Sequence, residues 1–128
     1  MRRPRVLLVD DIPEVIEFCR KILEVNCDIV GTAPDGASAI AAVKAGQPDV
    51  VVLDISMPGL DGIEVARRLR ASGCRAAIVF VSAGVECVTS ALKAGGSAFV
   101  AKGRIKDDLL LAVSEALAGR VFVSELGK

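Results

Sequence analysis

Short apolar runs alternate along this chain with longer segments of helical periodicity, and this alternation strongly limits the folds it can adopt. The longer segments carry apolar residues three and four positions apart; in residues 13–25 the stripe contains Val15, Ile16, Cys19, Ile22 and Leu23. The pattern predicts strands at 6–9, 28–33, 50–54, 76–81 and 98–101, and helices at 13–25, 37–45, 63–71, 85–94 and 106–118. A strand followed by a helix is therefore repeated five times.

Five such repeats predict an α/β fold, with a parallel sheet, right-handed crossovers and helices on both faces. The strand runs are mostly apolar without alternation, as expected for strands that are covered on both sides. We expect a flavodoxin-like (βα)5 doubly wound sheet with strand order 2-1-3-4-5. The 128 residues suit one domain, because no linker, internal repeat or low-complexity segment interrupts them.

Composition excludes several classes of protein. Sixteen basic and 16 acidic residues balance, so no global field attracts nucleic acid or a membrane surface. No apolar run approaches the roughly 18 residues that span a bilayer, and the four-residue apolar run after the basic start is too short for the core of a signal peptide. Four cysteines without CxxC spacing and the absence of histidine argue against a zinc site. We expect a cytoplasmic protein with reduced thiols and no membrane partner.

Four of the predicted strands end in residues that carry charge or a hydroxyl. Asp10 and Asp11 follow the first strand and Asp54 ends the third, while Ser82 and Lys102 follow the fourth and fifth. Ligands of open α/β sheets bind outside the carboxyl ends of the strands, at the point where the strand order reverses. That point lies beside strands one and three, which carry the carboxylates. We therefore expect all five side chains at one edge.

Three carboxylates in one crevice need a countercharge. At about 4 Å and an effective dielectric near 20, each pair repels by roughly 4 kcal/mol. A hard divalent cation is the simplest remedy, and oxygen-only ligation favours Mg²⁺, which keeps waters and reaches phosphate oxygens. Lys102 adds a positive charge and Ser82 a hydroxyl, both suited to an anionic group. The set predicts a magnesium-dependent site that accepts a phosphoryl group.

Each residue also has a simpler structural explanation. Asp11 precedes Ile12-Pro13 and could cap the first helix, Ser82 could cap the fourth helix, and Lys102 could be a surface lysine. Asp54 could merely terminate a strand. These explanations account for the residues one at a time, but none predicts that all of them fall at strand carboxyl ends.

The chain resembles the response-regulator receiver domain of two-component signalling along essentially its whole length. The resemblance rests on four segments, each at a predicted strand end: Leu8-Val9-Asp10-Asp11, the stretch from Val52 to Gly62, Val81-Ser82-Ala83 and Phe99-Val100-Ala101-Lys102. It implies that Asp54 accepts a phosphoryl group from the phosphohistidine of a histidine kinase. It also implies that Ser82 and Lys102 bind the phosphoryl oxygens.

The same resemblance implies a metal site and a switch. Asp11, Asp54 and the carbonyl of Ser56 would bind Mg²⁺, and Asp10 would hold it through water. Phe99 stands at the family's switch-aromatic position, although its apolarity alone favours a place in the core. Movement of Ser82 towards a phosphoryl group would let Phe99 rotate and alter the surface of the fourth helix, fifth strand and fifth helix. No enzymatic activity is expected beyond self-phosphorylation and dephosphorylation.

Residues 120–126 resemble the segment that follows the receiver in NarL/LuxR-type regulators, where a linker and a DNA-binding output domain come next. The resemblance implies transcription regulation through an output domain absent from this chain, and homodimer formation on phosphorylation. Two alternatives are a phosphate-independent interaction module of the same fold and a Mg²⁺-dependent phosphohydrolase. The hydrolase type would need a second aspartate two residues after Asp54, where Ser56 stands.

Overall fold

A parallel sheet of six strands forms the centre of the computed structural model, which describes residues 2–84 and 86–125. The strand order is β2-β1-β3-β4-β5-β6. The strands are β1 (Arg5–Val9), β2 (Asp28–Ala33), β3 (Val50–Asp54), β4 (Ala77–Ser82), β5 (Ala98–Ala101) and β6 (Phe122–Val123). The helices are α1 (Pro13–Leu23), α2 (Gly36–Gly46), α3 (Gly62–Ala71), α4 (Val88–Lys93) and α5 (Ile105–Leu117), with a 3-10 turn at Lys102–Arg104.

The predicted doubly wound α/β fold and the order 2-1-3-4-5 are confirmed, and the structure adds one strand. β6 pairs in parallel with β5, Phe122 opposite Ala98 and Val123 opposite Phe99. The sequence analysis compared residues 120–126 with the segment that leads to a linker, and the structure shows that Phe122 and Val123 within it extend the sheet. The fourth helix begins at Val88 rather than at 85, and residue 85 itself lies outside the described residues.

Two apolar layers cover the faces of the sheet because successive strand residues point to opposite sides. Leu7, Val51 and Phe80 pack in the layer that also contains residues of α2, α3 and α4. Leu8 and Val52 pack in the other layer, against residues of α1 and α5. Every residue of β3 is buried, which explains its continuous apolar run. Among the described residues, no helix has the length and apolarity needed to cross a membrane.

Side-chain caps and a proline define where the helices on the site side begin. The Asp35 carboxylate accepts a hydrogen bond from the Ser38 N–H at 2.8 Å and starts α2. Asp61 accepts from the Glu64 N–H at 2.9 Å and starts α3. Pro13 occupies the first turn of α1, where its missing N–H costs nothing. The chain therefore turns sharply after β1 and after β3, at the edge where the carboxylates lie.

Candidate functional site

The carboxyl ends of β1 and β3 bring three carboxylates together. Asp54 is the last residue of β3, and Asp10 and Asp11 follow β1 in the neighbouring position of the sheet. Their oxygen atoms lie within 4.8 Å of one another. Asp54 is 1% exposed and Asp10 is 4% exposed, whereas Asp11 faces solvent. The acidic cluster predicted from the sequence therefore exists and is open on the side of Asp11.

Lys102 enters this cluster from the far side of β4. It is the first residue of the 3-10 turn after β5, and its side chain is 23% exposed. Its Nζ lies 3.4 Å from Oδ2 of Asp10 and 3.5 Å from Oδ1 of Asp54. The structural alternative of a plain surface lysine is therefore wrong, since the ammonium is shared between two buried carboxylates.

The Asp54 carboxylate is buried without a hydrogen-bond partner on either oxygen, among the residues that the structure describes. Burial is the main reason that its pKa rises from 3.8 to about 6, and the charge of Asp10 adds to the effect. The Lys102 ammonium, 3.5 Å from Oδ1, and the Ser56 backbone N–H oppose the rise in the pKa. Because Lys102 is shared with Asp10, the charge of Asp54 is only partly compensated, which is costly unless a further cation or a proton joins it.

The donor set fits Mg²⁺. Three carboxylates supply only oxygen atoms, and the two free oxygens of Asp54 offer unused lone pairs in the middle of the cluster. Asp10 is oriented by its own chain, because its Oδ1 accepts from the Ile12 N–H at 2.9 Å while Oδ2 faces Lys102. A divalent cation would complete the partial charge balance that Lys102 begins.

The helix-cap explanations of Asp11 and Ser82 are wrong. Helix α1 has Ile12 at its N-cap and α4 has Cys87, and neither helix receives a side-chain cap. Ser82 ends β4, and its Oγ accepts a hydrogen bond from the Gly84 N–H at 3.2 Å. Its hydroxyl is therefore engaged with the loop that follows, while its Cα pairs with Ala101 of β5.

Phe99 and Ser56 occupy different environments. Phe99 is fully buried in β5, within the layer that also contains residues of α2, α3 and α4. The position therefore agrees with the core placement that its apolarity favours, and its role as a switch stays a prediction of the resemblance. Ser56 lies exposed in the loop after β3. Its carbonyl remains a predicted metal ligand.

Gly62 contributes to the site in a way that sequence reasoning missed. It opens α3, and its N–H donates to the Ile55 carbonyl at 2.9 Å. A Cβ built there would overlap the Asp54 carbonyl oxygen and lie 2.9 Å from the Asp54 carbonyl carbon. Only glycine allows α3 to begin so close to the strand end. The signal was the glycine at the end of Pro58-Gly59-Leu60-Asp61-Gly62, which the sequence analysis used only as part of the stretch from Val52 to Gly62 that carries the resemblance.

The sheet order and the acidic cluster at its edge place the chain among doubly wound α/β domains with a candidate metal site. Residues 6–114 match the model of the response regulator receiver domain, and the chain belongs to this family. The predicted resemblance to receiver domains, and to NarL-type regulators in particular, is confirmed.

Several relatives support this assignment. Over 124 residues the chain is 35% identical to the nitrate/nitrite response regulator protein NarL of Escherichia coli K12, covering 94% of this chain and 57% of that protein. It is 34% identical over 105 residues to the transcriptional regulatory protein DesR of Bacillus subtilis, and the match covers 81% of this chain and 53% of DesR. The chain thus spans little more than half the length of these curated relatives.

Solved structures agree with the sequence relatives. The signal receiver domain of the putative response regulator NarL from Mycobacterium tuberculosis has a TM-score of 0.89 at 34% identity, covering 94% of this chain and all of that one. A LuxR-family two-component response regulator from Aurantimonas sp. SI85-9A1 has a TM-score of 0.91 at 32% identity, and the match covers 96% of this chain and 91% of that one. Both similarities extend over nearly the whole chain.

Proposed function

We propose that the chain is the phosphoacceptor of a two-component system and takes a phosphoryl group from a histidine kinase onto Asp54. The observation that carries the proposal is the Asp54 carboxylate, which is buried, has no hydrogen-bond partner among the described residues and lies beside Asp10, Asp11 and Lys102. Buried carboxylates without partners are rare in proteins that only need to be stable, and they concentrate at functional sites.

Asp10, Asp11, Asp54 and the Ser56 carbonyl would hold Mg²⁺, with Asp10 acting through water. The bound ion would supply positive charge to the oxygens of the transferred group. The protein then contributes the geometry of its own side chains. Lys102 is already within 3.5 Å of Asp54, and it would contact a phosphoryl oxygen after a small movement.

The transfer itself needs one nucleophile. An oxygen of the Asp54 carboxylate attacks phosphorus, the bond between phosphorus and the kinase imidazole nitrogen breaks, and its electron pair stays on that nitrogen. The raised pKa of Asp54 reflects the metal-free site, where burial and Asp10 favour the proton. Positive charge from Lys102, and from a metal when it is bound, favours the carboxylate that the reaction requires.

Phosphorylation would switch the surface of α4, β5 and α5. Modification changes the charge of Asp54 from one negative unit to about two and adds acceptor oxygens for Ser82 and Lys102. Two charge-assisted hydrogen bonds contribute roughly 3 to 6 kcal/mol, and inversion of a two-state population from 1:99 to 99:1 takes about 5.5 kcal/mol. Ser82 would leave Gly84 to reach the phosphoryl group, and Phe99 would move into the space so created.

The output would be transcriptional. The NarL and DesR relatives are named regulators, so we propose that this receiver acts from the cytoplasm through a DNA-binding output domain outside the chain. Phosphorylation would favour a homodimer. The receiver itself would catalyse only its own phosphorylation and dephosphorylation.

Intact-mass measurement after incubation with a small phosphodonor and Mg²⁺ tests the proposal. We expect a gain of one phosphoryl group in the native chain and none in Asp54→Asn. Chelation of Mg²⁺ should abolish the gain, and Asp107→Asn, which changes an exposed carboxylate on α5, should leave it unchanged. An unmodified native chain under conditions that load a control receiver would instead support the phosphate-independent interaction module.

A further inference from the structure

The chain after α5 is attached to the receiver through a buried serine. Ser124 is 3% exposed, and its hydroxyl donates to Oδ2 of Asp108 at 2.7 Å. The Ser124 Oγ also accepts from the Ala101 N–H at 3.1 Å, and the Ser124 N–H donates to the Phe99 carbonyl at 2.9 Å. One residue thus makes three hydrogen bonds, two of them to the backbone of β5.

Asp108, in the first turn of α5, is the charged partner of this serine and is 7% exposed. Arg104 donates to both of its oxygens, from Nε at 3.2 Å and from Nη2 at 3.1 Å. Burial alone would raise the pKa of Asp108, yet the hydrogen bonds from Arg104 and Ser124 outweigh it and hold the pKa below its ordinary value. We call Ser124, Asp108 and Arg104 the clasp.

The clasp and the acidic site share the 3-10 turn of Lys102–Arg104. Its first residue, Lys102, places its ammonium between Asp10 and Asp54, and its last residue, Arg104, holds Asp108. The peptide N–H just before the turn, that of Ala101, is bonded to Ser124. Both ends of the three-residue turn are therefore fixed, one by the site and one by Asp108 of α5, which also accepts the hydrogen bond from Ser124.

Docking of that segment depends on the clasp, because the strand itself is short. β6 has two residues, and a ladder of that length is marginal without further packing. Val121 is exposed and Val123 is partly exposed, and Phe122 is only half-buried, so little apolar area holds β6 against β5. The buried, charge-assisted hydrogen bond of Ser124 is the strongest polar contact of the segment.

We propose that Ser124 is a positioning residue that couples docking of residues 122–124 to the occupancy of Asp54 through the turn of Lys102. The inference rests on the proposed function and extends it, since it names a route from the site to the chain that follows α5. Coupling of this kind is reciprocal. A group on Asp54 that restrains the Lys102 turn also stabilises the docked segment, and loss of the clasp makes the Lys102 side chain less restrained.

The direction of the effect follows from the geometry. Lys102 faces Asp54 and the clasp is closed in the same structure, so the closed clasp is compatible with the engaged lysine. A group with more negative charge on Asp54 attracts the ammonium more strongly and restrains the turn further. Occupancy should therefore slow the opening of β6 rather than release it.

Amide hydrogen exchange measured by NMR tests the coupling, with Mg²⁺ and beryllofluoride as a phosphoryl mimic. In the native chain the mimic should slow exchange of the Ser124 and Ala101 amides by about fivefold or more. Ser124→Ala should abolish this response and Ser124→Thr, which keeps the hydroxyl, should retain it. Ser114→Ala, an exposed substitution on α5, is the matched control. An equal response in Ser124→Ala and the native chain would overturn the inference.

A second readout separates this inference from the proposed function. If the native chain binds the mimic and the two amides exchange unchanged, the coupling is wrong while the phosphoacceptor role stands. If the mimic does not bind, the phosphoacceptor role is contradicted, and the NMR signal of the Lys102 Cε in the untreated protein decides the inference. That signal should shift in Ser124→Ala and stay in place in Ser114→Ala and Ser124→Thr. An unshifted Lys102 signal in Ser124→Ala would overturn it.

Discussion

The ammonium of Lys102 lies 3.5 Å from the carboxylate of Asp54, although β4 separates the strands that carry them. The same ammonium lies 3.4 Å from Asp10, so one positive charge serves two buried negative charges. The balance is incomplete, and it leaves both Asp54 oxygens without a hydrogen-bond partner in the described part of the chain. The site is consequently a source of instability when it is empty.

Asp54→Asn should therefore stabilise the metal-free protein at neutral pH. The pKa of Asp54 in the folded protein, about 6, exceeds the ordinary 3.8, so the folded state binds the proton more tightly than the unfolded state does. The free energy of unfolding is therefore highest below about pH 3.8 with respect to this group, and it falls as the pH rises through 6. Asparagine mimics the protonated form at every pH. We expect a gain of about 1–3 kcal/mol in the free energy of unfolding at pH 7.

Urea unfolding followed by circular dichroism, with a chelator present, measures this gain. The difference between Asp54→Asn and the native chain should shrink as the pH falls from 7 towards 4. An equal difference at both pH values would show that the substitution acts through packing rather than through the charge of Asp54.

Mg²⁺ should stabilise the native chain by mass action. At a concentration ten times the dissociation constant, the gain is about 1.4 kcal/mol. Asp11→Asn and Asp54→Asn should lose most of it because each removes one oxygen ligand, whereas Asp107→Asn should keep it. Thermal unfolding with and without Mg²⁺ at constant ionic strength measures the gain. Equal stabilisation of all four proteins would indicate a general salt effect.

The sequence analysis correctly predicted those strand ends, and the site residues they carry, whose positions follow from a local pattern. The ends of β1, β3, β4 and β5 follow from apolar runs, and parallel pairing then brings Asp10, Asp54 and Lys102 together without any knowledge of side-chain contacts. It failed for β6, whose two residues carry no periodic signal and which depends on the contact of Ser124 with Asp108, 16 positions earlier. Gly62 was missed for the same reason, since its close approach to Asp54 is a tertiary contact.

Gly62→Ala should destabilise the protein by about 3 kcal/mol and impair phosphorylation, because the new methyl group would meet the backbone of Asp54 and Ile55. Backbone cannot rotate away as a flexible side chain can. Gly46→Ala, at the end of α2, is the matched control: a Cβ there meets nothing within 4 Å, so its effect should stay within about 1 kcal/mol. Comparable losses in both variants would contradict the close-approach argument.

Phe99→Leu should leave phosphorylation of Asp54 largely intact and weaken the response of α4. Leucine avoids the large cavity, worth about 3–5 kcal/mol, that alanine would create at this fully buried position. Chemical-shift changes of α4 amides on phosphorylation measure the response, and intact mass measures loading. Phe80→Leu is the control, since Phe80 is equally buried and pairs with Phe99 from β4. If both variants lose the response equally, Phe99 has no special role.

Thiol labelling should distinguish two pairs of cysteines. Burial, and to a smaller extent the charge of Asp10, raises the pKa of Cys19 to about 12 against the opposing effect of Lys102, and burial also raises the pKa of Cys27. Because the thiolate is the reactive form, both should resist iodoacetamide at pH 8 in the folded protein. Cys74 and Cys87 are partly exposed and should react first.

Peptide mass spectrometry assigns the modified sites, and urea should make all four cysteines reactive. Labelling of Cys19 in native buffer as fast as Cys74 would mean that α1 opens next to Asp10 far more often than its packing indicates.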